Sequence, residues 1–331
     1  MSFKKLKESV FEKTISPDEQ QAKVGEVKKI IGPIADKFPA MCSDAAVLRF
    51  LRARNYNTMK AAKMLKGTIK WRLEFKPEKI QWDDVAPEAF RGRLYRADYL
   101  DKQGRVVFVI KAGLQSTSSA IVQIKYLVYC LEKAILNLNS KQDQMVWLID
   151  FQGWSTSCIS VKVTRETAQV LQNHYPERLG LAVLYNPPKL FESFWTMVKP
   201  FLEHKTYKKV TFAYPDNHRS RMMMEELFDM DKLESCFGGN NTAGMNFEAY
   251  GQKMREDDKR ITGFIDSGCS TPTFLSSCST PTFFSSCSTP TFFNSEVNES
   301  LQSSNDYEDD SPGNKAVYSN LEEDGAKPKE H

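Results

Sequence analysis

The sequence has no long hydrophobic run and no targeting segment of the secretory type. The first sixteen residues, MSFKKLKESVFEKTIS, carry a charge every few positions and lack the apolar core of a secretory signal. The one long uncharged stretch, residues 267–295, is rich in serine, threonine and proline and is too polar for a transmembrane helix. We therefore expect a protein of the cytosol.

Cysteine and histidine are sparse and badly spaced for a metal site. The seven cysteines include no CxxC pair, and an odd number without paired spacing is typical of reduced thiols. The four histidines lie far from any paired cysteines. We expect neither a zinc site nor any other metal.

The common catalytic and nucleotide-binding motifs are missing. No GxGxxG, GxxxxGK[ST], GxSxG or HExxH occurs. Asp150 ends an apolar run, where an α/β enzyme keeps a carboxylate, and His174 could be a general base. A cap role for Asp150 and a structural role for His174 are the favoured interpretations. We expect no catalytic residue, and a hydrolase that uses this pair is the least favoured function.

Charge is divided unevenly along the 331 residues. The total is +3, but residues 296–331 hold ten acidic and three basic side chains, so residues 1–295 carry +10. A basic body favours anionic partners, which include nucleic acid, phospholipid headgroups and acidic proteins. Charge alone does not choose among them.

Hydrophobic periodicity divides the chain into segments of two kinds. After an extension at 1–16, residues 17–77 have helical spacing with N-caps at Ser43 and Thr58, and they predict a small helical lobe. Residues 85–255 alternate short apolar runs with helical patterns, which is typical of an α/β domain with a mostly parallel sheet. A hairpin turn at 101–104 predicts one antiparallel pair. The predicted strands are 94–100, 106–110, 145–149, 181–185 and 210–213.

Residues 264–331 differ in composition from the rest of the chain. CSTPTF occurs three times at a spacing of nine residues, and an acidic run follows. Few large side chains are present to offset the ordering entropy, so we expect a disordered tail. Its Thr-Pro sites suit proline-directed phosphorylation, its cysteines could instead be acylated, and a flexible linker is the default interpretation. The threonines are Thr271, Thr280 and Thr289, and the cysteines are Cys269, Cys278 and Cys287.

One segment carries large apolar groups along a helical stripe. In residues 189–202 they recur at i, i+3, i+4, i+7, i+10 and i+11, with lysines elsewhere around the helix. Most such stripes pack on a core, but a lid that touches a bilayer is the alternative. The stripe consists of Phe191, Phe194, Trp195, Val198, Phe201 and Leu202.

Six short motifs follow one another in an order that is specific in combination. They are LRFLRAR (48–54), DFQG (150–153), YPERLG (175–180), YNPP (185–188), KPFL (199–202) and FGG (237–239). With them, residues 17–250 resemble the CRAL-TRIO lipid-binding family, and in particular its phosphatidylinositol-transfer branch. The resemblance implies a helical N-terminal lobe, a sheet that floors a hydrophobic lipid cavity, and a mobile helix as its gate. In that picture the apolar stripe is the gate.

The resemblance also implies which residues bind a phosphatidylinositol headgroup. Carried over residue by residue, the contacts fall on Arg54, Glu177, Thr206 and Lys209. Lys209 supplies a charge for phosphate, and Arg54 pairs with Glu177 or with phosphate. Glu177 and Thr206 can hydrogen-bond the ring hydroxyls. The alternatives are a salt bridge between the lobes for Arg54 and Glu177, and a solvated charge for Lys209.

Two departures from the branch's pattern affect the ligand. Asn55 stands where a second basic residue often follows the arginine, so one phosphate contact is lost or comes from elsewhere. Gly104-Arg105 leads to Val-Val-Phe where the branch often has a tyrosine, which puts phosphatidylcholine in doubt. Ser155 and Ser157 match the family's phosphatidylcholine headgroup contacts, but they could equally be turn and N-cap residues.

Together these features favour a cytosolic carrier that binds one phosphatidylinositol, without a cofactor, and exchanges or presents it in transient contact with membranes. Two chains of about sixteen carbons represent on the order of 20 to 25 kcal/mol of hydrophobic transfer, which requires a closed interior. Lipid kinases or trafficking proteins are the expected protein partners, and nucleic acid is not expected. The alternatives are a carrier of a sterol-like, tocopherol-like or retinoid-like hydrophobe, and a lipid-sensing scaffold whose tail recruits partners.

Overall fold

The computed structural model of the chain describes residues 15–115, 117–138, 142–158 and 160–266, without the side chains of residues 192 and 262–266. The predicted tail beyond residue 266, with Thr271, Thr280 and Thr289, lies outside the described residues, as do residues 1–14 of the predicted extension. The helices are α1 (Pro17–Ile31), α2 (Ile34–Lys37), α3 (Asp44–Ala53), α4 (Thr58–Phe75), α5 (Trp82–Ala89), α6 (Ala120–Leu136), α7 (Val161–His174), α8 (Phe191–Val198), α9 (His204–Tyr207), α10 (His218–Leu227) and α11 (Phe247–Asp266). The strands are β1 (Leu94–Leu100), β2 (Val106–Lys111), β3 (Met145–Asp150), β4 (Leu179–Tyr185) and β5 (Val210–Ala213).

The first four helices form the predicted N-terminal lobe. Ser43 caps α3 as predicted, because its Oγ accepts the N–H of Ala46 at 3.4 Å. The predicted cap at Thr58 is wrong by one residue, since Asn57 Oδ1 accepts the N–H of Lys60 at 2.9 Å and Thr58 begins α4. Asparagine is at least as good an N-cap as threonine, so the neighbouring residue takes the position.

The five strands form one sheet in the order β1-β2-β3-β4-β5. β1 and β2 are antiparallel and are joined by the predicted hairpin, whereas the three other pairs are parallel. In the turn, Asp101 Oδ1 accepts the N–H groups of Gln103 and Arg105 at 3.0 and 2.7 Å. Gly104 has a φ of 77°, which glycine adopts without strain. The predicted α/β class is confirmed.

Topology decides which face of the sheet each helix covers. The order of the parallel strands runs in one direction, and crossovers of this kind are right-handed, so the connections after β2, β3 and β4 lie on the same side. α6, α7 and α8 therefore cover one face. The opposite face packs on α10 and on the turn that contains Phe237, whose ring lies 5.5 Å from that of Tyr185.

The two faces differ in how completely they are packed. On the face towards α10, which we call the filled face, seven side chains are at most 6% exposed. On the other, the hollow face, Trp147 and Ile149 of β3 are only partly buried. The filled face therefore belongs to the core, and the hollow face retains free space. The seven side chains of the filled face are Val107, Val109, Val146, Leu148, Val183, Tyr185 and Ala213.

A buried ion pair joins the N-terminal lobe to the rest of the protein. Arg72 of α4 donates two hydrogen bonds to Glu132 of α6, at 2.7 and 3.1 Å. The hydroxyl of Tyr175 donates to the same carboxylate at 2.6 Å. Because both charged side chains are at most 6% exposed, water solvates neither of them well, and each depends on the other as its main counter-charge.

Loss of one partner should therefore be costly. We expect Glu132→Ala to lower the free energy of unfolding by about 3–5 kcal/mol, because Arg72 would be left buried without its main counter-charge. Urea denaturation measures the difference. Lys232→Ala, which removes an exposed pair with Asp229, is the control and should change stability by no more than about 0.5 kcal/mol. Equal losses in the two variants would contradict the role given to the buried pair.

Candidate functional site

The hollow face, α6, α7 and α8 enclose a mostly apolar cavity of about 290 Å³. Alternate residues of β2, β3 and β4 form its floor, since side chains on a strand point to one face at every second position. α6 and α7 form the walls, and α8 covers it. The floor consists of Ile110, Trp147, Ile149, Phe151 and Leu184.

The predicted stripe on α8 faces this cavity. Phe191, Phe194, Trp195 and Val198 all line it, and Phe191 and Val198 are buried. The ring of Phe191 meets that of Phe151 edge-on, with centroids 4.4 Å apart. The apolar side of the helix thus covers the cavity through contacts between aromatic rings.

The last two residues of the stripe lie beyond the end of α8. A 3-10 turn at Lys199–Phe201 follows the helix directly. Leu202 lines a neighbouring pocket, which we call the polar pocket because the charged side chains of Glu177, Glu203 and Lys209 also line it. Phe201 lines neither space, and its carbonyl oxygen accepts a hydrogen bond from Gln172 Nε2 at 2.9 Å. The six-residue stripe therefore divides into four residues over the cavity and two in the connection that follows.

The outer side of this segment is apolar and basic. Leu190 and Met197 are 60% and 55% exposed. Lys189 and Lys199 are exposed near the two ends of the helix. Such a mixture is typical of helices that lie at a membrane surface.

The polar pocket, of about 70 Å³, lies at the amino ends of β3, β4 and β5. It brings together three of the four predicted headgroup residues, Glu177, Thr206 and Lys209. Lys209 Nζ lies 3.0 Å from Glu177 Oε2. Glu177 has a φ of 60°, a left-handed conformation that non-glycine residues seldom adopt and that occurs preferentially at functional sites.

The fourth predicted residue, Arg54, lies beside the pocket and does not line it. Its Nη1 is 2.9 Å from Oε1 of Glu203, which does line the pocket. Arg54 forms a salt bridge between the lobes, as the predicted alternative required, but its partner is Glu203 and not Glu177. The alternative of a solvated charge for Lys209 is wrong, because Lys209 pairs with Glu177. The next residue, Asn55, has a φ of 50°, and asparagine tolerates this conformation better than lysine or arginine does.

Sequence reasoning did not identify two groups that hold the connection beside the pocket. Gln172 of α7 accepts the N–H of Glu203 at 2.5 Å, in addition to its bond to Phe201. Lys205 Nζ donates to the carbonyl oxygen of Arg52 at 2.8 Å. Both contacts join segments far apart in sequence, so no local pattern could have predicted them.

Arg178 also lines the pocket, directly after Glu177 in the YPERLG motif. It is 5% exposed and donates to the carbonyl oxygen of Asp143 at 2.9 Å. Burial, reinforced by the nearby Arg49, lowers its pKa to about 9. The pocket therefore has a buried cation in its wall, and its position in the motif was the one clue in the sequence.

Trp147, in the middle of β3, lines both of these spaces. The polar pocket lies at the amino end of this strand and the apolar cavity extends to Phe151 at its carboxyl end. Residues 145–151 span about 20 Å at roughly 3.3 Å per residue. The arrangement fits an elongated amphiphile that lies along β3.

Comparison with known proteins agrees with this geometry. Residues 91–239 match the CRAL/TRIO domain, and residues 3–67 match the CRAL/TRIO N-terminal domain. Over 248 residues the chain is 31% identical to the phosphatidylinositol transfer protein PDR17 of Saccharomyces cerevisiae, a match that covers 70% of this chain and 68% of PDR17. The chain belongs to the CRAL/TRIO family.

Other CRAL/TRIO relatives are matched over a smaller part of their length. A CRAL-TRIO domain-containing protein of Schizosaccharomyces pombe is 31% identical over 208 residues, which are 62% of this chain and 19% of that protein. The SEC14 cytosolic factor of Yarrowia lipolytica is 27% identical over 254 residues, 70% of this chain and 50% of the factor. The crystal structure of Sfh5 has the same fold, with a TM-score of 0.58 at 15% sequence identity. The match covers 77% of this chain and 99% of the Sfh5 chain.

The serines predicted to contact phosphatidylcholine lie outside the CRAL/TRIO cavity. Ser155 and Ser157 are exposed, and their hydroxyls are 2.7 Å apart. Ser157 Oγ also accepts from Gln115 Nε2 at 3.0 Å. Neither serine lines the cavity, whereas the neighbouring Cys158 does. They bond to nearby polar groups as the predicted turn residues would.

Asp150 and His174 lie at opposite ends of the CRAL/TRIO sheet. Asp150 ends β3, and its Oδ1 accepts the N–H of Gln152 at 2.8 Å, as the predicted cap role requires. α7 runs back along the sheet for about 20 Å, so His174 lies near the amino end. There its ring stacks on Trp71, with centroids 4.1 Å apart. The two side chains are too far apart to act on one substrate atom.

The described residues contain neither a membrane-spanning helix nor a cluster of metal ligands. None of the helices they form is long and apolar enough to cross a membrane. Within the same residues, no group of three or more histidine, cysteine, aspartate or glutamate side chains could hold a metal ion.

Protonation of His174 should affect stability in a defined pH range. Burial, with a smaller effect of Arg72, lowers its pKa from 6.5 to about 4. The unfolded chain therefore takes up a proton near pH 6.5 and the folded protein only near pH 4, so the free energy of unfolding should fall as the pH drops through this range. In the His174→Gln variant, the free energy of unfolding should fall less over the same pH range. Urea denaturation at several pH values tests this.

The exposed His218 provides the control for this experiment. His218→Gln should retain the pH dependence of the parent protein, because the side chain is exposed at the start of α10. If His174→Gln retained the pH dependence of the parent protein as well, the partly buried imidazole of His174 would not be the group that titrates.

Proposed function

We propose that the protein is a carrier that binds one phosphatidylinositol, with the headgroup in the polar pocket and the acyl chains in the apolar cavity, and exchanges or presents it at membranes. The observation that supports this most directly is that a pocket with charged side chains and an apolar cavity lie next to each other along β3, with Trp147 in the lining of both. A ligand with one polar end and long apolar chains matches both. The name of PDR17, to which the chain is similar, agrees with the proposed ligand.

The charges at the pocket suit an inositol phosphate. Cations of Lys205, Lys209 and Arg178 line it together with the carboxylates of Glu177 and Glu203, and Arg54 lies beside it. In the proposed complex, phosphate accepts hydrogen bonds from Lys209, and the ring hydroxyls donate to Glu177. Thr206 supplies a hydroxyl that can donate or accept.

The proposed complex requires α8 to move. The cavity volume of about 290 Å³ is at the lower end of the range of about 300–1,000 Å³ that holds drug-sized ligands, and a diacyl phospholipid is larger. Burial of its two chains is favourable by on the order of 20 to 25 kcal/mol. We therefore propose α8 as the gate, which moves outward when the lipid enters or leaves.

Membrane contact is proposed for the outer side of the gate. Leu190 and Met197 can insert between lipid headgroups, while Lys189 and Lys199 can lie beside anionic phosphates. Such contact would be transient and peripheral. Like the related SEC14 cytosolic factor, the carrier would work from the cytosol.

The positions of Ser155 and Ser157 limit the proposal to phosphatidylinositol, since both serines lie outside the cavity.

Headgroup recognition predicts the behaviour of two variants. Lys209→Ala and Glu177→Ala should each weaken phosphatidylinositol binding about 10- to 100-fold, the effect of losing one charge-assisted hydrogen bond. Native mass spectrometry after incubation with mixed vesicles identifies the bound lipid, and fluorescence competition gives the affinity. Lys232→Ala is the matched control, because Lys232 is exposed and does not line either space. Unchanged affinity in both pocket variants would rule out the assigned headgroup site.

If α8 is the gate, a change on its outer side should alter the rate of lipid transfer and leave the affinity for the lipid unchanged. Met197→Asp places a charge on the outer side of α8, so it should slow transfer between anionic vesicles about tenfold while leaving the amount of lipid bound at equilibrium unchanged. Met59→Asp, an equivalent change at a 65% exposed methionine of α4, should not slow transfer. A stopped-flow dequenching assay measures the rates. Equal rates for the two variants would remove α8 as the membrane-contacting element.

A further inference from the structure

One end of the apolar cavity contains a group of charged and polar side chains. Arg93, Glu88 and Gln123 line it there, among aromatic and aliphatic neighbours. Arg93 immediately precedes β1, and its carbonyl oxygen accepts the N–H of Lys111 at 2.8 Å. This end therefore lies at the carboxyl ends of β2 and β3. The phosphatidylinositol site proposed above lies at the opposite end of the sheet.

The charges in this group do not cancel. Glu88 is 4% exposed, and its carboxylate pairs with Arg91, whose Nε lies 3.1 Å away, and accepts from Ser118 Oγ at 2.5 Å. Arg91 and Arg93 thus place two guanidinium groups near one carboxylate, of which only Arg91 pairs with it, and this leaves one positive charge. Lys125 of α6 does not change this count, because it pairs with Asp84 at 3.6 Å.

Arg93 has unused hydrogen-bonding capacity. Among the described residues, its side chain makes one hydrogen bond, from Nη1 to Gln123 Oε1 at 3.3 Å. A guanidinium has five N–H donors and is suited to bind a carboxylate through two of them. Burial lowers the pKa of Arg93, partly offset by Glu88, so a second anion near Arg93 would relieve an unfavourable environment.

The size of the cavity favours a single-chain ligand. About 290 Å³ is close to the lower limit for ligands of drug size, which a fatty acid of some twenty heavy atoms approaches, whereas a diacyl lipid exceeds it. A chain that starts at Arg93 would run over the apolar floor towards Trp147. Folded within the cavity, such a chain needs less displacement of α8 than the two chains of a diacyl lipid.

We propose that Arg93, with Gln123 beside it, is the anchor of a second ligand mode, in which the cavity holds a long-chain fatty acid with its carboxylate at Arg93 and its chain directed towards Trp147. This site goes beyond the proposed phosphatidylinositol site and uses none of its headgroup residues. Because the two ligands share the apolar cavity, they exclude each other. The fatty acid is the occupant of the cavity when α8 covers it.

The test compares oleate with oleyl alcohol, which has the same chain but no carboxylate. The parent protein should bind one oleate, and oleyl alcohol at least tenfold more weakly. Arg93→Gln should weaken oleate binding 10- to 100-fold and change oleyl alcohol binding less than threefold. Arg165→Gln, at an exposed residue of α7 that does not line the cavity, is the control and should leave both affinities unchanged. Isothermal titration calorimetry measures each affinity.

Further variants separate this proposal from loss of folding and from the phosphatidylinositol site. Arg93→Lys should recover part of the oleate affinity, and the melting temperatures show whether each variant is folded. Lys209→Ala should weaken phosphatidylinositol binding and leave oleate binding unchanged, while Arg93→Gln should do the reverse. If the parent protein bound phosphatidylinositol but no oleate, or if Arg93→Gln bound oleate as tightly as the parent, the fatty-acid site would be overturned and the headgroup site would stand. Oleate binding without phosphatidylinositol binding would overturn the headgroup site alone.

Discussion

The cavity depends on the filled face of the sheet. Seven side chains there are at most 6% exposed, and burial of each large one contributes about 1.5–3 kcal/mol. Because this face and the helical lobe supply a core, the hollow face can remain incompletely packed without loss of the fold. The division follows from topology, since a strand order that runs in one direction places α6, α7 and α8 on the same side. The C-terminal part of the domain, from α10 to the turn at Phe237, then covers the other side.

The polar pocket shows how a charged site is held ready without its ligand. Glu177 pairs with Lys209, and Glu203 pairs with Arg54, so each carboxylate faces a cation. The four side chains are between 17% and 41% exposed, so solvent screens both pairs in part. Their contribution is to fix the side chains near the positions in which a ligand would meet them, and this reduces the ordering entropy lost on binding. In the proposed complex, the phosphate and hydroxyl groups of the ligand replace one partner of each ion pair.

The fold was predictable from the sequence where the determining pattern is local. The strands β2 to β5 are short apolar runs, the hairpin that joins β1 to β2 has Gly104 at its turn, and the stripe on α8 follows helical spacing. The pairing of Arg54 with Glu203 was not predictable, because 149 residues separate them and several carboxylates compete. Gln172 and Arg178 were missed for the same reason. The volume of the cavity could not be predicted from the sequence either, since it depends on how α6, α7 and α8 pack and not on which side chains they carry.

The contacts under α8 limit how the proposed gate can work. Phe191 lies against Phe151, Trp154 and Phe212, with ring centroids 4.4 to 6.3 Å apart. Aromatic pairs of this kind contribute about 0.5–1.5 kcal/mol each, so opening costs several kcal/mol before any lipid enters. In water, opening would break these ring contacts and expose the apolar stripe to solvent, so α8 stays over the cavity. At a bilayer the same aromatic groups would enter an apolar medium and Leu190 and Met197 would be buried, so the cost falls where the lipid is present. The apolar stripe that covers the cavity would thus restrict exchange to the membrane surface.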